Sequence, residues 1–265
     1  MATAAAAPEA TVAAPPHAAL TFGGWAAGYL TTAPAGQRYT SVSARFRLPK
    51  DGPVAHTTPG AWVSIWAGVG LRAERGGQLM QAGISMRAGV AGWDRSAPWW
   101  INEPATPTAP HDLDLVVSPG DKVEVDVREV DRAAHNWVFT VRDLSAPGSA
   151  SGWCYGCVSD GQTAGWLVED PMSGALPADF ADPGRVDFLA ASAGTDGGAP
   201  VLLPQQDWHP VLRTVYGQAP GGAVPLAALA PTASRQGPLG AAPDAVGAFS
   251  VGDLPPAPAR EGARS

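Results

Sequence analysis

Ser118-Pro119-Gly120-Asp121-Lys122-Val123-Glu124-Val125-Asp126-Val127-Arg128-Glu129 is the stretch whose reading decides the fold. Its first four residues have turn chemistry, because Pro presets its own φ and Gly tolerates the left-handed region. Valine then recurs at positions 123, 125 and 127, with charged residues at 124, 126 and 128. A period of two places the valines on one face of a strand and the charges on the other. Asn136-Trp137-Val138-Phe139-Thr140-Val141-Arg142 follows at hairpin distance and reads as its antiparallel partner.

The same grammar extends in both directions. Residues 39–48 alternate and stop at Pro49. Ala61-Trp62-Val63-Ser64-Ile65-Trp66 is rich in β formers, and residues 79–86 follow a Gly-Gly turn. Residues 165–169, 185–190 and 211–216 supply further strands. No convincing amphipathic helix and no fixed-period repeat is present. Many short strands between Gly and Pro turns imply an all-β antiparallel sandwich or barrel. Residues 21–216 hold all ten Trp and form the expected domain. Residues 1–20 read as a disordered Ala/Pro leader, and residues 217–265 as a low-complexity Ala/Pro/Gly tail.

Composition narrows the function. Only 15% of residues are charged, while Gly (32) and Pro (27) abound, which excludes a coiled coil. A net charge of −7 with no basic stripe argues against nucleic acid. No apolar run approaches the roughly 20 residues of a membrane helix. No G-x-S-x-G elbow, H-E-x-x-H helix or phosphate loop occurs. The five His are scattered, so no metal site is expected. Cys154 and Cys157 lack the second pair of ligands that zinc needs, and the all-β context is wrong for a thioredoxin-like motif. A small disulfide-closed loop is the expectation, with a free thiol pair as the alternative.

Three features carry chemistry. Glu124 and Asp126 share a strand face, and a bulge at Arg128 would add Glu129. That set resembles the E-x-D-x-x-E signature of lectin-like β-glucanases, in which two carboxylates do the work. A solvated acidic face is the plainer reading. Among the Trp residues most belong to a core. Trp99 and Trp100 sit side by side, so a strand would send one of them to a groove. Finally, Gln81 is a polar amide inside an apolar strand, and Glu169 ends a strongly apolar run.

The order of these segments resembles the glutamic peptidases, or eqolisins. Phe22-Gly23-Gly24-Trp25 is similar to the family's N-W-x-G opening, and Ala61-Trp62-Val63-Ser64-Ile65 to its A-W-V-G-I. Leu79-Met80-Gln81-Ala82-Gly83 resembles I-L-Q-x-G, and Trp99-Trp100 with Pro104 resembles W-Y-E-W-x-P. Ser118-Pro119-Gly120-Asp121 resembles its E-G-D turn. Ala164-Gly165-Trp166-Leu167-Val168-Glu169-Asp170 resembles A-E-W-I-V-E-D. The resemblance implies an antiparallel two-sheet β-sandwich, lectin- or glucanase-like (concanavalin-like) in outline, with a groove on one face and acid endopeptidase activity. Glu169 would be the general base and acid, and Gln81 would hold the water and the developing oxyanion. Trp25, Trp62, Trp99 and Trp100 would line the groove. The partner would be a polypeptide, with no metal, cofactor, nucleic acid or membrane, and the protein a secreted monomer. A β-glucanase or a non-catalytic sugar- or peptide-binding sandwich is the alternative. The chain departs from the family pattern at Trp66 and Ser85, where the family has Asp. Gly165 replaces the first Glu of A-E-W-I-V-E-D, Ile101 or Glu103 meets the W-Y-E-W acid, and the Cys near the Gln is absent.

Overall fold

The structure, a computed structural model, describes residues 25–54, 57–70, 78–103, 109–169, 171–173, 176–177, 180–196, 201–202, 208–214 and 248–252. Among them there is no helix. The first sheet runs β15 (Trp208–Thr214), β1 (Trp25–Thr32), β10 (Thr163–Glu169), β3 (Trp62–Val69), β4 (Leu79–Ala88), β5 (Trp93–Glu103) and β6 (His111–Asp112). The second runs β14 (Val201–Leu202), β13 (Arg185–Thr195), β2 (Tyr39–Arg47), β7 (Lys122–Asp131), β8 (Asn136–Asp143) and β9 (Gly148–Cys154). In it β16 (Phe249–Gly252) also pairs with β13. Every strand pairing in these sheets is antiparallel. A small hairpin of β11 (Met172–Ser173) and β12 (Leu176–Pro177) stands apart. Of the sandwich and barrel that the strand pattern allowed, the two-sheet sandwich implied by the resemblance is the observed architecture.

The core lies between the sheets and is built by strand alternation. Val63, Ile65, Ala67 and Val69 of β3 and Met80, Ala82, Ile84 and Met86 of β4 face Val123, Val125 and Val127 of β7 and Trp137, Phe139 and Val141 of β8. Each of these large side chains contributes about 1.5–3 kcal/mol by leaving water. Trp100 belongs to this interior. Its ring stacks 4.7 Å from Phe139 and 4.2 Å from His111. Gly152 of β9 leaves it room, since a Cβ there would fall 2.1 Å from the Trp100 indole nitrogen. The expectation that Trp100 lines a groove is therefore corrected: it fills the space between the sheets.

Two further expectations change. β7 has its irregularity between Glu129 and Asp131, not at Arg128. Glu129 thus stays in phase with Val127 and turns inward, its side chain only 2% exposed and paired with Arg38. Glu124 and Asp126 remain outside, so the three-carboxylate set of a glucanase is not assembled. The domain also does not end at residue 216. β16 pairs Val251 with Val186 and buries it completely. Four residues among Ala, Pro and Gly gave too short a pattern to read. Residues 1–20, and the rest of the 217–265 segment apart from 248–252, lie outside the described residues.

Candidate active site

The outer face of the first sheet carries a second apolar cluster, separate from the core. It consists of Leu30, Trp66, Leu79, Trp99, Ile101 and Leu167. Strand register arranges this face in rows. Leu30, Gly165, Gly68, Gln81 and Ile101 stand side by side on β1, β10, β3, β4 and β5. The next row is Gly28, Leu167, Trp66, Gly83 and Trp99, followed by Glu169, Ser64, Ser85 and Ala97. Trp62, Arg87 and Arg95 form a fourth row on β3, β4 and β5. Gly83 is what lets Trp66 lie flat here, because a Cβ at 83 would sit 2.6 Å from the Trp66 Cβ.

Two polar atoms in this face have no partner. The Gln81 amide oxygen and the Trp99 indole N–H are both buried and unbonded. They belong to adjacent strands and to neighbouring rows, an acceptor next to a donor. Gln81 is 6% exposed and Trp99 6%. Buried polar groups without a partner are rare, and each has a desolvation penalty that a bound ligand removes.

Glu169 shares this face but not this row. It is in register with Ser64 and, beyond that, with Ser85, which lies four residues from Gln81 along β4. Four residues of strand span about 13 Å, and two strand spacings add about 10 Å sideways. That puts their Cα atoms roughly 16 Å apart, a span that two extended side chains and one bridging water would have to cover. The Gln81/Glu169 pairing implied by the resemblance thus runs across two rows and two strands of one sheet face. The residue opposite Gln81 across Gly68 is Gly165, which has no side chain. Glu169 accepts a hydrogen bond of 2.7 Å from the Trp66 indole N–H.

Sequence reasoning missed Trp66, which it read only as a departure from an aspartate. Alternation along β3 was the available signal, since it sets Trp66 on the face opposite Ile65 and two residues from Gly68. Trp62 is on the outer face but three rows from Gln81. Trp25 opens β1, and its side chain lies outside the described part. Cys154 and Cys157 are joined in a disulfide with a Cα separation of 5.8 Å, so the free-thiol alternative falls. Among the described residues no group of three or more His, Cys, Asp or Glu side chains converges as metal ligands would. No helix among them is long and apolar enough to cross a membrane.

Comparison with known proteins matches residues 24–208 to the model of the Peptidase A4 family. The chain belongs to the Peptidase A4 family. By family it is a hydrolase of the glutamic endopeptidase class. Its fold is that of scytalido-glutamic peptidase, solved with a peptide-based transition-state analogue. That match has a TM-score of 0.60 at 15% identity and covers 86% of this chain and 98% of the other. SCP-B, an eqolisin solved with the tripeptide Ala-Ile-His, matches with a TM-score of 0.57 at 15% identity and the same coverage. No curated protein matches by sequence. Within this A4 member, Gln81 and Glu169 stand on the same sheet face, two rows apart.

Proposed function

We propose that the outer face of the first sheet binds an extended polypeptide and hydrolyses it slowly at acid pH. The observation that carries this is the unpartnered pair formed by the Gln81 amide oxygen and the Trp99 indole N–H. A neutral acceptor beside a neutral donor complements the N–H and C=O of a backbone, and the apolar residues around it suit alternate side chains. Peptide ligands in the related A4 structures support the same choice of ligand.

Gln81 then holds the substrate backbone, and its amide keeps its hydrogen-bonding capacity at any pH. Glu169 acts through Trp66, fixing the indole that walls the cleft, and is a positioning residue. With glycine at 165, the β10 position in register with Gln81 carries no carboxylate. General-base assistance is typically worth about 10²–10⁴-fold, so turnover is low by that order. The disulfide Cys154–Cys157 supports secretion, because such bonds form and persist in oxidising compartments.

Binding and digestion of a denatured protein between about pH 2 and 5 tests the reading. The parent is expected to bind and to cleave slowly. Gln81→Ala should abolish both, whereas Glu169→Gln should raise KM more than it lowers kcat. Gly165→Glu should raise the cleavage rate by about an order of magnitude or more. A parent that binds no denatured polypeptide at any pH would overturn the proposal.

A further inference from the structure

The fourth row of this sheet face carries charge. Trp62, Arg87 and Arg95 are in register on three adjacent strands. Both guanidinium carbons lie 5.8 Å from the centre of the Trp62 ring. Cations at that distance are attracted by the ring face, which orients their planar forks. Arg87 is committed to Asp94 through bonds of 2.8 Å and 3.1 Å. Arg95 is placed differently. Its side chain is 51% exposed, and Asp112, itself 78% exposed, approaches it only to 3.8 Å. That is beyond hydrogen-bond range, so the Arg95 fork keeps donors for an incoming acceptor.

Position relative to the rest of the cleft gives this cluster a meaning. Arg87 is six residues from Gln81 along β4, and six residues of extended chain span about 20 Å. A polypeptide with its backbone on Gln81 and Trp99, running along β3 and β4, brings a residue about six positions away onto Trp62 and Arg95. The third row between them carries one carboxylate, Glu169, already bonded to Trp66. An acidic group on the ligand therefore finds its complement at the fourth row.

We infer that Trp62, Arg87 and Arg95 form a subsite for a carboxylate of the bound polypeptide, either an acidic side chain or the chain's own C-terminus. This rests on the peptide-binding reading of the same face. The pair formed is partly exposed, so it contributes about fivefold in affinity.

The test uses the full chain and fluorescent octapeptides with apolar centres, carrying Glu or Gln near either end, each with a free or amidated C-terminus. The parent should bind one Glu peptide about fivefold more tightly than its Gln counterpart, and the gap should close at high salt. Arg95→Gln should close the gap while every peptide still binds, and Arg87→Gln, whose guanidinium is held by Asp94, should only narrow it. Lys122→Gln, on the other sheet, should leave the gap intact. A gap that follows the free C-terminus instead of the Glu identifies the terminal carboxylate as the ligand group. If every peptide binds and Glu and Gln forms bind equally, the subsite is refuted while the peptide-binding face stands. If no peptide binds, the reading beneath it fails.

Discussion

Glu169 shows how a residue's row on a sheet sets what its side chain can reach. Its strand position gives it the Trp66 indole to hold. Glu169→Ala removes the acceptor of the Trp66 N–H inside a buried cluster, and should destabilise the fold by about 1–3 kcal/mol in denaturant titration. Glu169→Gln keeps an acceptor oxygen and should lose much less. Gly83 works on the same indole from beneath. Its added Cβ would meet the Ile65 carbonyl oxygen at 2.4 Å as well as the Trp66 Cβ. Backbone cannot move aside as a side-chain tip can, so Gly83→Ala should lower stability by about 1–3 kcal/mol and weaken peptide binding with it. Residue types announced Gln81 and the aromatic ring set in the sequence. What they faced was not announced, because that depends on which strand pairs with which and in what register.

Among elements, β7 was the most legible, since its valines alternate without interruption. Its charged face shows what that pattern supports. Burial acts to raise the Glu124 carboxyl, but hydrogen bonds from Arg45 and Arg142 outweigh it and hold the group below its ordinary range. A depressed carboxylate stabilises the fold above its unfolded value of about 4.3, and that contribution fades as pH falls through the folded value. Glu124→Gln should therefore cost stability at pH 7 and almost none well below pH 4, measured as urea midpoints. Asp126 behaves oppositely. Burial raises its carboxyl, with Arg128 and Arg142 opposing the shift, so its charge is a penalty above about pH 4 that acid removes. Asp126→Asn should stabilise at pH 7 and change little at pH 3. β16 was illegible for the converse reason, as four residues give no period to recognise. Its importance shows in Val251, and Val251→Ala should cost about 1–3 kcal/mol.

At the scale of the whole molecule, the architecture was legible and the working site only partly so. Alternation and turn chemistry gave antiparallel strands with one apolar face, which suits a sandwich or a barrel, and the order of motifs chose the two-sheet form. The bulge in β7 was misplaced, because a bulge depends on the partner strand as much as on its own residues. Trp100 was sent to a groove because nothing in a Trp-Trp pair says which ring faces inward. Phe139 and Gly152, well downstream on two other strands, decide it.

Strand order also sets when the chain can fold. β1 waits for β10 and β15, and β2 waits for β13, across gaps of more than a hundred residues. Neither sheet can close until the ribosome has delivered residues near 195, which at about 5–20 residues per second takes on the order of ten seconds or more. The strands that complete both sheets are therefore made last, after the β3, β4, β7 and β8 core. Refolding after dilution from urea should accordingly be slow for the chain's size.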